Sequence, residues 1–402
     1  MYMRRKKPIA AILALSLISV LLLVVCKSVS QSEPDVPTPF NNISAEELVA
    51  NIRIGWNLGN TLDTSDLYWL GSSPQVSLME TAWGNPVTTK ANIDAVRNAG
   101  FNAIRIPVSW SKAANKNYII RNAWMNRVKQ VVNYAVSNDM YIILNTHHDE
   151  DIFRFRDSEM EESRKAFQTI WEQIADNFKN YDEKLIFEGL NEPRTKGSQS
   201  EWNGGTAEER NNLNILNQLF VDTVRASGGN NVMRILLVPT YAASSLAVAM
   251  NALTIPSDPQ NSVNKIVASI HAYEPYNFAL NENSPENTWS VNRASDKAPI
   301  TERIDRAYSI FISKGIPVIM GEFGALNKGN EEARAEWAEF YTSYAKSRGV
   351  KCFWWDDGGQ NEPPSGFGLL IRRSNRFAFQ KIVDALMRGT EDNLELSLSL
   401  TP

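Results

Sequence analysis

Leu185-Ile186-Phe187-Glu188-Gly189-Leu190-Asn191-Glu192-Pro193 decides how the whole chain is read. Its first half is a short apolar run of strand type, and its polar residues gather at the C-terminal end of that run. Stretches of helical periodicity flank it, at 163–178 before and 211–227 after. The same unit recurs outward in both directions. Apolar, β-branched runs lie at 53–58, 103–108, 141–145, 185–188, 234–238, 266–270, 318–320 and 351–354. Helical segments fill the gaps at 89–99, 123–138, 163–178, 211–227, 300–314, 331–348 and 376–388, with a weaker one at 242–252. Glycines at 100, 228, 315 and 349 supply helix stops. Eight strands alternating with helices predict an α/β fold, a single (β/α)8 TIM barrel. A doubly wound open sheet is disfavoured, because no G-x-G-x-x-G follows the first strand and no phosphate loop occurs.

In such a barrel the chemistry sits where the strands end. The first run ends in Trp56-Asn57-Leu58-Gly59-Asn60, and the second carries Arg105. The third ends in Asn145-Thr146-His147-His148-Asp149 and the fourth in Asn191-Glu192-Pro193. The sixth ends in His271-Ala272-Tyr273, the seventh in Gly321-Glu322-Phe323-Gly324 and the eighth in Trp354-Trp355-Asp356-Asp357. The chain has three histidines, and all three fall on this rim. One histidine at a strand end is more often a satisfied structural group; three of three reverse that weighting. Glu192 and Glu322 lie on strands that face each other across a barrel mouth. Two carboxyls about 5 Å apart, one protonated and one ionised, are what glycosidic cleavage with retention needs. Arg105 beside Glu322 would keep it ionised, and a less charged, partly desolvated place would keep Glu192 protonated.

Competing chemistries fit less well. His147, His148 and His271 could ligate a metal, but adjacent histidines on a strand point to opposite sides, and neither H-x-H nor H-E-x-x-H occurs. A serine hydrolase would show a G-x-S-x-G elbow, which is absent. No metal and no cofactor are expected. The formal net charge of −4 offers no basic surface for a polyphosphate, so nucleic acid is not expected as a partner. Eleven Trp and twelve Tyr exceed what a barrel core uses, and the surplus suits the apolar faces of sugars.

At the amino terminus Arg4, Arg5, Lys6 and Lys7 precede an uncharged apolar run at 9–26, the pattern of an export signal. Three readings stay open for residues 1–30: cleavage after Ser28-Val29-Ser30, lipidation at Cys26 (with Val25 where a small residue is preferred), and an uncleaved membrane anchor. A secreted or cell-surface protein is expected. Residues 31–42 read as a Pro-containing linker, 43–388 as the barrel and 389–402 as a tail. Either form of processing leaves only Cys352, so no internal disulfide is expected. A monomer is expected.

The strand-end motifs, taken in order, resemble glycoside hydrolase family 5, the large cellulase family. The resemblance runs from about Ile43 to Met387 and extends to the endoglucanase and xyloglucanase branch, subfamily 4, through 56–63, Ala82-Trp83-Gly84-Asn85-Pro86 and 145–149. It implies that Glu192 is the acid/base and Glu322 the nucleophile. It also implies that Arg105 and Tyr273 hydrogen-bond Glu322, that Asn191 meets the sugar 2-hydroxyl, and that His271 lies beside Glu192. His147 and Trp355 would contact the sugar at the point of cleavage, with His148, Asn57 and Trp83 as further sugar contacts. The substrate so implied is a plant-wall β-1,4-glucan, whether cellulose-type, xyloglucan or mixed-linkage. A mannanase on the same scaffold and a non-catalytic polysaccharide-binding protein are the alternatives. Phe153, Trp202, Tyr276, Phe278 and Trp289 stand in the loops as outer sugar platforms or as plain loop anchors.

Overall fold

The computed structural model describes residues 39–359 and 365–391. The expectations for 1–30, and for the greater part of the linker and tail, lie outside the described residues. Eight parallel strands close on themselves in the order β1 to β8. They are β1 Gly55–Leu58, β2 Ala103–Ile106, β3 Tyr141–Asn145, β4 Leu185–Glu188, β5 Leu236–Ser244, β6 Ile266–His271, β7 Val318–Phe323 and β8 Lys351–Asp356. Helices Lys90–Asn98, Asn122–Val136, Met160–Phe178, Ala207–Ala226, Ala294–Ile310, Glu331–Ser347 and Gln380–Arg388 pass between them on the outside. Thr89 and Thr206 each start a helix with a reciprocal capping box, to Asn92 and Glu209, which satisfies backbone N–H groups that the first turn leaves without partners.

Side-chain alternation along the strands sorts the core into two. Ile104, Ile142, Phe187, Leu236, Ala268, Met320 and Trp354 face outward onto the helices. Ala103, Ile143, Ile186, Leu237, Val267, Ile319 and Phe353 fill the lumen together with Leu48, Val49 and Ile52. Leu48 and Val49 come from helix Ala45–Asn51, capped by Ser44, which plugs the barrel floor, and Ile52 follows directly after it. That plug was not foreseen, because seven residues are too few for a periodic signal. Contacts of the fold begin before Ile43: the Asn41 amides donate to Glu183 at 3.0 and 2.7 Å. They also run past Arg388, since Arg53 donates to Thr390 at 2.9 Å.

One step of two residues up from the lumen core, the inward positions turn polar at Arg105, Asn145, Glu188 and Ser269, with the aromatic Trp355 beside them on β8. This change of layer makes the site. Two elements differ from expectation. β7 runs on to Phe323, so Glu322 belongs to the strand itself. Residues 242–244 end β5 and do not begin the helix expected at 242–252, which is confined to Ala247–Ala252. Ala242 and Ala243 adopt φ of 53° and 46°, a left-handed kink that no right-handed helix contains.

Candidate active site

Glu322 is held by two neighbours. Arg105 Nη1 donates to its Oε1 at 2.8 Å, and the Tyr273 hydroxyl donates to its Oε2 at 2.8 Å. Arg105 is itself fully buried and spends its other N–H groups on Glu188 Oε2 at 2.7 Å, Asn57 Oδ1 at 3.0 Å and Asn191 Oδ1 at 2.7 Å. Burial disfavours its charge, but Glu188 and Glu322 outweigh burial and hold its pKa above the ordinary value. Ser269 and Asn145 donate to Glu188 at 2.6 and 3.0 Å, which fixes that carboxylate in turn. For Tyr273, burial and then the charges of Glu322 and Glu192 push the phenol well up, so it stays a hydrogen-bond donor.

Glu192, on the loop side of β4, has its Oε1 2.9 Å from His271 Nδ1. His271 also stands 3.7 Å from Glu322 Oε2, and oxygen atoms of the two glutamates come within 4.8 Å of each other. Gly321 makes room for this imidazole: a Cβ there would sit 2.9 Å from His271 Nε2. The expectation of a weakly charged surrounding for Glu192 is overturned. Burial raises its pKa, but the hydrogen bond and charge of His271, followed by Arg194 and His148, leave it below the usual carboxylate value.

His147 is neutral, because burial comes first and is reinforced by His148, Arg105, His271 and Arg194, all driving its pKa well down. Its tautomer follows from its partners. Asn145 Oδ1 accepts from the Val108 N–H at 3.1 Å, so the Asn145 amide nitrogen is the atom 3.2 Å from His147 Nδ1. Nδ1 therefore accepts, and Nε2 carries the proton. Nε2 lies 3.9 Å from Glu322 Oε1. The Trp355 ring runs parallel to His147, 5° between planes and 5.7 Å between centroids. His148 touches His147 edge-on at 4.5 Å and Trp83 at 5.7 Å.

The strand ends thus bring together Glu192, Glu322, Arg105, Asn191, His271, Tyr273, His147, His148, Trp355 and Trp83. Asn57 is the exception as a sugar contact. It is fully buried, its amide donating to the carbonyls of Gly321, Phe353 and Trp354, so it ties β1 to β7 and β8 beneath the site. Trp202 and Tyr276 are exposed, as sugar platforms require, whereas Phe153, Phe278 and Trp289 are buried loop anchors. The two adjacent histidines share one side, because both lie beyond the end of β3, where strand alternation no longer applies. Asp63 joins them within 4.8 Å, but its oxygens accept from the backbone N–H groups of Asn60 and Thr61 at 2.9 and 2.5 Å. Sequence reading missed Glu188, Glu150, Arg194 and the exposed pair Tyr68 and Trp69. Glu188 did carry a signal: a glutamate inside a barrel strand demands a buried cation, and Arg105 sits at the matching depth two strands away.

Two acids this close on opposing staves, beside flat aromatic surface and polar side chains, define a barrel glycoside hydrolase. The chain belongs to glycosyl hydrolase family 5: the family's Cellulase model matches residues 67–361. It is 43% identical over 348 residues to Endoglucanase A of Clostridium longisporum, covering 86% of this chain and 66% of that protein. To Cellulase/esterase CelE of Acetivibrio thermocellus it is 45% identical over 364 residues, covering 90% of this chain but 42% of the relative. A solved GH5-4 broad specificity endoglucanase from Ruminococcus champanellensis, with bound cellotriose, superposes with a TM-score of 0.83 at 45% identity. That match covers 87% of this chain and all of the other.

Proposed function

We propose that the protein is an endo-acting β-1,4-glucanase that cleaves plant-wall β-glucans with net retention, Glu322 being the nucleophile and Glu192 the acid/base. The observation that carries this reading is the approach of oxygen atoms of the two carboxylates to within 4.8 Å, which suits the roughly 5 Å spacing of a nucleophile and its acid/base and falls short of the wider gap an inverting pair keeps for its water. The relatives' names as endoglucanases support the substrate class.

Arg105 and Tyr273 aim Glu322 at the anomeric carbon. As the Glu322–carbon bond forms, the glycosidic carbon–oxygen bond breaks, and Glu192 passes its proton to the departing oxygen. Oε1 of Glu192 is engaged by His271, so Oε2 delivers that proton. Water then enters; ionised Glu192 takes its proton, its oxygen attacks the same carbon, and the ester to Glu322 breaks. Two inversions restore the configuration. Asn191, whose Oδ1 is taken by Arg105, offers its NH2 to the sugar 2-hydroxyl, and His147 offers Nε2–H to a neighbouring hydroxyl. Trp355 underlies the ring, and Trp83, His148, Trp202 and Tyr276 extend the cleft. The basic and apolar pattern of residues 1–26 supports work outside the cell, where such polymers lie.

The reaction consists of proton transfer and carboxylate attack, so a chelator should leave turnover unchanged. Glu322→Gln should lower kcat on soluble glucan by about 10³-fold or more, and trapping with a slow-leaving fluoro-sugar should label Glu322 in the wild type alone. Near-normal turnover by Glu322→Gln would remove the assignment. Product sizing on cellulose, xyloglucan, mixed-linkage glucan and mannan tests the substrate class, and release from mannan alone would overturn it.

A further inference from the structure

We propose that Glu150 is a positioning residue for the reaction: by holding Arg194 and cancelling its charge, it governs how readily Glu192 parts with its proton. The inference rests on the acid/base reading of Glu192 above.

Glu150 lies in the loop after β3 with its side chain 8% exposed, and three cations converge on it. Arg194 Nη1 is 3.0 Å from Oε1, His148 Nδ1 is 3.4 Å from the same oxygen, and Lys196 Nζ is 3.2 Å from Oε2. A carboxylate this buried persists only because it is paired on both oxygens. Burial raises its pKa, but His148, Arg194 and Lys196 together bring it down to about 2. The same Nη1 of Arg194 donates to the Glu192 backbone carbonyl at 2.9 Å and stands 3.7 Å from Glu192 Oε2. Its Nε pairs with Glu201 at 3.1 Å, and its plane covers Trp202 at 4.6 Å.

Oε2 is the oxygen of Glu192 that His271 leaves free, and the Arg194 guanidinium stands 3.7 Å from it. Left uncompensated, a guanidinium there would favour ionised Glu192 and weaken the acid. Glu150 and Glu201 share that charge. Glu192 is also faced by His271 from β6, Glu322 from β7, Tyr273 from the loop after β6 and His148 from the loop after β3. Around Glu150 stand Arg194, His148 and Lys196, with Asp151 next in the chain. Removing the Glu150 charge leaves Arg194 and Lys196 without their shared counter-ion, while His148, whose pKa Glu150 raises, gives back part of the difference by losing its proton.

The test is the pH profile of kcat/KM, which reports the first, proton-requiring half of the reaction, for wild type, Glu150→Gln, Glu150→Asp and Lys196→Gln. Two substrates are compared: a soluble β-glucan, and an aryl β-cellobioside whose leaving group departs without a proton. On glucan the basic limb of Glu150→Gln should move down by about one pH unit, while Glu150→Asp stays near wild type. Lys196→Gln, which loses a positive charge, should move the limb up. On the aryl substrate no limb should move. A folded Glu150→Gln with an unshifted limb overturns the proposal, as does an equal shift on both substrates. Lys196 is half-exposed and safe to change, so a limb that fails to rise in Lys196→Gln overturns it even where Glu150→Gln does not fold. Failure of the underlying reading is separate: Glu192→Gln would then keep its turnover on glucan.

Discussion

At the scale of single residues, the site works through groups whose states are set by neighbours rather than by their own chemistry. His147 shows this most directly. Burial and surrounding cations keep it neutral, and Asn145 chooses which nitrogen bears its proton. Asn145→Ala should release that choice. The expected outcome is a fall in kcat/KM of roughly tenfold, together with a change in the imidazole nitrogen shifts toward the mixed tautomers of a free histidine. Unchanged nitrogen shifts would show that another group sets the tautomer. Arg105 is the same lesson on a larger scale. One guanidinium spans Glu188, Glu322, Asn57 and Asn191, so four strand ends share one fixed point.

At the scale of elements, the lumen is filled by side chains up to the level of Phe353, and that packing sets the height of the site. A Cβ on Gly55 would lie 2.0 Å from the Phe353 ring, directly across the β1–β8 pair. Only glycine lets Phe353 fill the barrel beneath Asn57 and Trp355. Gly55→Ala should therefore destabilise the protein by about 1–3 kcal/mol in chemical denaturation. Adding Phe353→Leu should recover part of that loss, and full additivity of the two changes would show that they do not meet. The floor helix Ala45–Asn51 acts at the same level: it closes the lumen with Leu48 and Val49, and Ile52 follows directly after it.

At the scale of the whole molecule, a layer of polar and charged groups is buried across the barrel mouth, and acid weakens it where a paired carboxylate must take a proton. Glu150 is the clearest case: its pKa is depressed to about 2 in the folded state. A depressed carboxylate stabilises the fold fully above its unfolded value near 4.5 and loses that contribution as pH falls toward its folded value. Between about pH 4.5 and 2 the wild type should lose up to about 3 kcal/mol that Glu150→Gln does not lose, measured by urea unfolding at each pH. Parallel curves for the two proteins would mean that Glu150 is no more strongly paired in the fold than in the unfolded chain. The barrel, and the gathering of polar side chains on one rim, were legible in the sequence, because strand periodicity is local and a barrel places chemistry at strand ends. Glu192, Glu322 and Arg105 could be singled out from their positions at strand ends, whereas Tyr273 and His271 were tied to them through the family resemblance. What stayed hidden depends on distance across the chain. Asn57 reads like any other rim residue until three backbone carbonyls enclose it, and Phe278 and Trp289 read like sugar platforms until helices cover them. The charge around Glu192 was decided only by folding, because Arg194, His148 and His271 come from three different loops and strands. An electrostatic surrounding is a sum over space, and a sequence orders residues only along the chain.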